Sequence, residues 1–153
     1  MKLTKNFSLK EMMASETADR MGMTQQFNPS AIVIANMKAL VESVLQPARD
    51  KFKKPIIIAS GYRCKELNRL IGGATNSQHM TGQAADIKAS DPDENGELFK
   101  LIRKEIKDFD QLIWEFGDED NPAWIHISFS KTRNRKQVLK AYKLHGKTHY
   151  SVI

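Results

Sequence analysis

The sequence predicts an α+β fold with an antiparallel sheet. Helix-forming segments come first in the chain, strand-forming segments come later, and the last strands are joined by connections of hairpin length. That order favours an antiparallel sheet over a doubly wound parallel one. The chain has 153 residues, the common size of one domain, so we expect residues 1–153 to form a single domain.

Capping residues and the spacing of apolar residues predict four helices, which lie within residues 8–21, 28–52, 64–73 and 91–109. The first begins with a capping box, in which Ser8 is followed three residues later by Glu11. The second is long and amphipathic, and Pro47 predicts a break or kink within it. Gly72 and Gly73 end the third helix, and an acidic segment begins the fourth.

Apolar and β-branched residues predict four strands, which are PIIIAS (55–60), AADIKA (84–89), QLIWEF (111–116) and AWIHISF (123–129). The turn-forming segment GDEDNP joins the last two strands and makes them neighbours. Farther along, Gly146 stands between His145 and His149 and argues against a helix. These two histidines are therefore interpreted as residues of a tail and not as metal ligands.

The composition limits which kinds of functional site the chain can form. Because Cys64 is the only cysteine, any metal must be held by histidine and carboxylate. The apolar runs are too short to cross a bilayer and the first residues lack a signal-peptide core, so we expect a chain that is cytoplasmic as synthesised. The net charge of +6 is concentrated near the C-terminus, where it would attract nucleic acid or an anionic bacterial envelope, or serve only solubility.

Strand alternation places two ionisable residues on one surface. In AWIHISF the apolar face with Ile125 and Ile127 belongs to the core, so His126 projects from the opposite face. The same alternation in AADIKA places Asp86 on the face opposite Ile87. We therefore expect Asp86 and His126 to share a surface if their strands are neighbours.

These residues, together with a nearby histidine, are the minimum set for a catalytic zinc ion. Such a site has three protein ligands, and the fourth position stays open for water. His79 on the polar loop, Asp86 on the next strand and His126 on a distant strand supply two imidazoles and one carboxylate. Each also has an ordinary structural explanation, as a loop histidine, a polar residue near a turn and a surface strand residue.

Three segments, SGYRCKELNRLIGG, SQHMTGQAADI and WIHISF, together resemble the signature of the zinc D-Ala-D-Ala carboxypeptidase family of peptidoglycan peptidases, especially its small phage-endolysin-like branch. The family's pattern Ser-x-His-x-x-Gly-x-Ala-x-Asp is matched by Ser77, His79, Gly82, Ala84 and Asp86. Its Trp-x-His pattern is matched by Trp124 and His126. Their joint occurrence in this order is more specific than any one motif, and it implies a zinc site formed by the two histidines and the aspartate.

The resemblance also implies a fold and two further functional residues. The fold is a small antiparallel sheet flanked by helices, shared with the signalling domain of hedgehog proteins, where a related zinc site acts without evident peptidase chemistry. Arg63 matches the arginine of the family's Ser-Gly-Tyr-Arg stretch, which implies that it binds a substrate carboxylate or steadies the oxyanion; a structural ion pair is the alternative. Ser77 resembles the serine that orients substrate near the metal, although loop serines also bond their own backbone.

The catalytic base departs from the family pattern. Many members carry an acid in a Glu/Asp-x-x-His arrangement, but the corresponding position in this chain is Ala123. If the protein is active, the base must be Glu115 or one of the acids of the turn, which are Asp118, Glu119 and Asp120.

We expect Glu115 to be the catalytic base. Strand alternation places it on the face opposite Leu112, Trp114 and Phe116, where it can point into a cleft beside the His126 strand. A rigid strand positions a base better than an exposed turn does. The alternative is that Glu115 is a salt-bridged surface residue.

The sequence thus predicts a zinc-dependent peptidase that hydrolyses peptidoglycan peptide bonds, as a D-Ala-D-Ala carboxypeptidase or an endopeptidase. Its expected partners are peptidoglycan stem peptides, with an anionic cell-wall surface as a further contact, and we expect a monomer that reaches the wall after lysis or phage delivery. A catalytically silent zinc-binding domain for wall peptides or a protein partner is the alternative, and Ala123 is its main support. Specific binding of nucleic acid is not expected, because the basic segment lacks a reading motif.

Overall fold

A six-stranded sheet is the framework of the protein, and the computed structural model describes all 153 residues. The strands span Ile56–Ser60 (β1), Ala84–Ala89 (β2), Gln111–Glu115 (β3), Trp124–Ser128 (β4), Gln137–Leu144 (β5) and Lys147–Val152 (β6). Their order in the sheet is β1-β2-β4-β3-β5-β6. All neighbouring strands are antiparallel except β3 and β5, which run parallel. The predicted α+β class is confirmed, and this parallel pair is the one departure from an antiparallel sheet.

Six α-helices precede or connect the strands, and they span Leu9–Met13 (α1), Glu16–Met21 (α2), Ala31–Leu40 (α3), Gln46–Phe52 (α4), Lys65–Leu70 (α5) and Asn95–Glu105 (α6). No helix combines the length and the apolar character that crossing a membrane requires.

The first predicted helix is two short helices, each with its own cap. The capping box at its start is present, because Ser8 Oγ accepts a hydrogen bond from Glu11 N at 3.2 Å and the Glu11 carboxylate accepts one from Ser8 N at 3.1 Å. The chain leaves the helical conformation at Ala14, where ψ is 133°. Ser15 then begins α2 by accepting a hydrogen bond from Ala18 N, so a second capping serine divides the segment.

The long predicted helix does not break at Pro47. Instead α3 and α4 are joined by a π turn, Val41–Leu45, which ends two residues before the proline. A proline within a helix lacks the N–H for the usual hydrogen bond and its ring crowds the preceding turn, so a widened turn before it lets the helix continue.

The main core lies between the helices and one face of the sheet. Ile87, Ile125 and Ile127 point into it and are fully buried, together with apolar residues of α3, α4 and α6. The face assignments made from strand alternation are therefore confirmed for β2 and β4. Because the helices cover this face, the opposite face of the sheet is left to form a cleft.

Phe116 is an exception to the predicted alternation of the third strand. Leu112 and Trp114 face the main core as predicted, but β3 ends at Glu115 and Phe116 adopts a positive φ of 57°. The backbone reverses there, so the Phe116 ring packs against Ile113 and its neighbours on the other face of the sheet. Its predicted place on the core face is wrong because the strand is one residue shorter than the apolar pattern suggests.

The C-terminal segment is a β-hairpin, so the interpretation of its histidines as tail residues is wrong. His145 and Gly146 have φ values of 51° and 76° and form the two-residue turn between β5 and β6. Positive φ at both positions matches the right-handed twist of the flanking strands. His149 lies in β6 and stacks on Tyr142 of β5, with 5.7 Å between the ring centres.

Candidate metal and catalytic site

The predicted metal ligands come together on the cleft face of the sheet. Asp86 of β2 lies directly opposite His126 of β4, and the turn Gln78–Thr81 before β2 brings in His79. His126 Nδ1 lies 3.2 Å from Asp86 Oδ1, and His79 Nε2 lies 3.5 Å from Asp86 Oδ2. One ligand atom from each residue lies within 4.8 Å of the others, which is the arrangement that a shared metal ion requires.

The turn that presents His79 is held against α3 and against its own backbone. Gly82 ends the turn with a φ of 75°, and a Cβ there would lie 2.7 Å from the Val33 carbonyl oxygen. Asn36 of α3 donates a hydrogen bond to the Thr81 carbonyl at 2.9 Å. The glycine of the matched motif is therefore required both by its backbone conformation and by the close approach of the helix.

The hydrogen bonding of His79 fits a metal ligand. Its Nδ1 donates to the Gly61 carbonyl at 2.7 Å, so Nε2 is the ring nitrogen left for a metal, and it faces Asp86. Histidines that bind metals usually have this second contact, which fixes the tautomer and the ring orientation. The side chain is only 3% exposed, so little solvent competes for the position.

Asp86 is ionised between the two imidazoles. Burial by itself would raise the pKa of Asp86, but hydrogen bonds from His126 and His79, with their positive charge, hold it well below its usual range. Zinc prefers ligands of these kinds, namely an ionised carboxylate and imidazoles in their neutral form.

Glu115 lies on the same face as the three residues and is almost completely buried. Glu115 of β3 pairs with Trp124 of β4. On the same face, the next pair along these two strands is Ile113 with His126. Only 8% of the surface of Glu115 is exposed, and its carboxylate makes no hydrogen bond to another protein group. Burial raises the pKa of Glu115 to about 7. The charge of His126 acts against this rise, and the negative charge of Asp86 adds to it. The salt-bridged surface residue considered for Glu115 is therefore excluded.

A cavity of about 650 Å³ contains the three candidate ligands together with Glu115, Arg63 and Ser77. Arg63 points into it with a buried Nε that has no hydrogen-bond partner, and burial lowers the pKa of its guanidinium while Asp86 raises it. No salt bridge holds Arg63, which removes the structural ion pair as its explanation. Ser77 Oγ accepts a hydrogen bond from His79 N at 3.2 Å, so its oxygen supports the turn while its hydroxyl proton still has no fixed acceptor.

The acidic turn does not reach this cavity. Asp118, Glu119 and Asp120 are exposed and are absent from the cavity walls. Asp118 accepts hydrogen bonds from the backbone N–H groups of Asn121 and Asp120, which lower the pKa of its carboxyl. Ala123 N donates to the Glu115 carbonyl at 2.9 Å, so the Glu-x-x-His position lies directly beside Glu115, one residue before β4.

Several residues of the cleft were not predicted from the sequence. Gln111, Ile113, Arg135, Leu139 and Tyr150 all line the same cavity, from β3, β5, β6 and the segment before β5. One sequence feature could have pointed to Arg135, Leu139 and Tyr150. Residues alternate on both sides of a His-Gly pair in the C-terminal segment, which is the pattern of a β-hairpin.

Comparison with known proteins points to one family. A family model described as Peptidase M15 matches residues 5–128. The matched segment contains all six residues predicted for the site and stops at the end of β4. No curated protein matches the chain.

The burial of Glu115 predicts a pH dependence of stability in the metal-free protein. Its pKa is about 7 in the folded chain against an ordinary value of 4.5, so between these values the folded chain keeps a proton that the unfolded chain has released. The free energy of unfolding of the parent, relative to that of Glu115→Gln, should therefore fall as the pH rises from about 4.5 to about 7. Urea unfolding of both chelator-treated proteins at a series of pH values measures this difference, and parallel curves would contradict the burial of an unpaired carboxyl.

Proposed function

The chain belongs to the Peptidase M15 family, and from that premise we propose that it is a zinc-dependent peptidase that hydrolyses peptide bonds of peptidoglycan stem peptides. The observation that carries the proposal is Glu115, a buried, unpaired carboxyl with a pKa near neutrality beside the His-Asp-His group. A buried carboxyl without a partner beside such a group is suited to proton transfer near neutral pH, whereas a purely structural or binding site has no use for it. The substrate class implies action on the cell wall, after release by lysis or delivery by a phage.

The metal ligands in this proposal are His79 through Nε2, Asp86 through its carboxylate and His126 through Nδ1. When bound there, zinc would supply a Lewis acid that polarises the scissile carbonyl and promotes deprotonation of water near neutral pH. The geometry of the three side chains supports this assignment, because their ligand atoms already converge.

Glu115 moves the proton. As a carboxylate it accepts a proton from the attacking water, whose oxygen forms a bond to the carbonyl carbon of the peptide. The resulting carboxylic acid then gives that proton to the amide nitrogen as the carbon–nitrogen bond breaks. Burial raises the pKa of Glu115 to about 7 in the metal-free chain, and this burial favours uptake of the proton and its return to the leaving nitrogen.

Arg63 and Ser77 are proposed to hold the substrate. The guanidinium of Arg63 is partly desolvated and lines the cavity, and its terminal nitrogens make no hydrogen bond to the protein, so they can donate to a carboxylate or a developing oxyanion in the cleft. The hydroxyl of Ser77 can donate its proton to a peptide carbonyl while its oxygen still supports the turn.

Degradation of peptidoglycan distinguishes this function from a catalytically silent zinc-binding domain. Zinc-loaded protein should release new amino groups from purified peptidoglycan, and a chelator should abolish the release. Absence of release from walls of several cross-link types would favour the silent domain, which Ala123 first suggested.

Removal of either histidine should remove the metal. His79→Ala or His126→Ala leaves two protein ligands, which should not retain zinc against a chelator, whereas the fold should persist because neither ring belongs to the main core. Zinc content after dialysis, with circular dichroism as the check on folding, measures this. His149→Ala on β6 is the matched control and should keep the metal; full zinc occupancy in either site variant would remove that residue from the site.

Glu115→Gln should keep zinc and the fold but lose most turnover. The amide has nearly the same shape yet cannot accept a proton, and general acid–base catalysis contributes about a hundred-fold or more. The measurement is the rate of amine release from peptidoglycan at equal zinc content.

The control for Glu115→Gln replaces the three turn acids together by their amides. This variant should retain most activity, because exposed side chains outside the cavity cannot hold a base in place. An active Glu115→Gln beside an inactive triple variant would move the base to the turn.

A further inference from the structure

The hairpin of β5 and β6 lies beyond the segment that matches the family, yet it forms one end of the cleft. Across the sheet Glu115 lies beside Ala141, and Ala141 lies beside Tyr150. Side chains at paired positions of neighbouring strands share one face of a sheet. Tyr150 therefore projects from the same face as Glu115, with only the methyl group of Ala141 between them.

Glu115 and Tyr150 are two strands apart, about 10 Å at their backbones, because neighbouring strands lie about 4.8 Å apart. Ala141 between them is fully buried, so the accessible part of this end of the cleft lies over Ile113 and Leu139.

The floor of this end of the cleft is apolar. Ile113, Leu139 and Ala141 form a small hydrophobic cluster that is separate from the main core and lies on the cleft face. Ile113 and Leu139 line the cavity together with Tyr150. Apolar side chains on a cleft face next to a catalytic carboxyl provide a contact surface for a small apolar side chain of a substrate.

Tyr150 can act as a hydrogen-bond donor at this end. It is 56% exposed, so its ring is accessible from the cleft. Partial burial raises the pKa of the Tyr150 hydroxyl, and the negative charges of Glu115 and Asp86 raise it by smaller amounts. The hydroxyl therefore keeps its proton at neutral pH. Tyr150 lines the same cavity as Glu115 and Asp86.

The hairpin is fixed to the turn that carries His79. The Asp110 carboxylate accepts hydrogen bonds from Arg135 Nε at 2.8 Å and Arg135 Nη2 at 2.9 Å, just before β5. It also accepts one from Gln78 Nε2 at 3.0 Å, next to His79. Because Asp110 is buried, this bridge holds the two ends of the cleft at a defined separation.

We propose that Tyr150 and the apolar floor of Ile113 and Leu139 form a peptide-binding subsite for the part of the substrate that extends away from Arg63. The Tyr150 hydroxyl donates to a peptide carbonyl, and its ring and the floor enclose a small apolar side chain. The site then favours peptides of at least three residues over dipeptides, and Tyr150 is a specificity-determining residue. This inference rests on the proposed peptidase function.

Peptides of two lengths test the subsite. The zinc-loaded full chain is assayed with D-Ala-D-Ala and with diacetyl-L-Lys-D-Ala-D-Ala, and kcat/KM is measured for each from released D-Ala. The parent should prefer the tripeptide, and Tyr150→Ala should reduce the ratio of the two kcat/KM values by about tenfold, the scale of one aromatic contact with a hydrogen bond. The ratio for Tyr150→Phe should lie between those of the parent and Tyr150→Ala, because phenylalanine keeps the ring and lacks the hydroxyl donor.

Tyr142→Ala is the matched control, since Tyr142 adjoins Ala141 in β5 and so lies on the opposite face of the same hairpin. It should leave both kcat/KM values unchanged. An unchanged ratio in Tyr150→Ala, or an equal loss in Tyr142→Ala, would overturn the subsite.

A binding measurement separates failure of the subsite from failure of the peptidase function. Calorimetric titration of zinc-loaded Glu115→Gln with the same tripeptide should show binding that Tyr150→Ala, added to this variant, weakens about tenfold. If the parent cleaves neither peptide, release of terminal D-Ala is excluded as its reaction, while this titration still decides the subsite. Absence of tripeptide binding, or equal binding with and without Tyr150, contradicts the inference.

Discussion

The pairing of Asp86 with His126 across β2 and β4 is the constraint on which the site depends. Side chains alternate between the faces of a strand. A shift of the strand pairing by one residue would therefore point His126 into the core and an isoleucine into the cleft. The fully buried Ile87, Ile125 and Ile127 prevent this slip, because each would lose its place in the core. The hydrophobic core thus sets the register, and the register brings the carboxylate and the imidazole within 3.2 Å.

Two carboxyl groups in one cleft have opposite properties. Asp86 receives hydrogen bonds from two histidines and stays ionised, whereas Glu115 is buried without a partner and its pKa rises to about 7. Separation of the pKa values of neighbouring acids is the usual way in which a site assigns one group to a fixed charge and another to proton transfer. The same sheet face therefore carries both the proposed metal ligands and the proposed catalytic base.

The sequence was most informative where one physical rule acts alone. Alternation predicted the faces of β2 and β4, and a capping pair predicted the start of α1. The position of Glu115 also followed from alternation, because β3 is regular up to that residue. The sequence resemblance pointed to the three candidate ligands, which the fold then brings together from a turn and two strands.

The sequence was least informative where two rules compete. At Phe116 an apolar side chain continued the strand pattern, but the positive φ of Phe116 itself turned the side chain to the other face of the sheet. Charged and polar residues hid the strands β5 and β6, whose apolar cleft residues, such as Leu139, are interspersed with lysines.

The most direct test of the account is a crystal structure of the zinc-loaded protein with anomalous data collected at the zinc absorption edge. The account predicts one strong peak bonded to His79 Nε2, Asp86 and His126 Nδ1 at about 2.0–2.2 Å, with Glu115 facing the open position and not bonded to the ion. A zinc peak at other residues, or no peak in protein exposed to excess zinc, would contradict it.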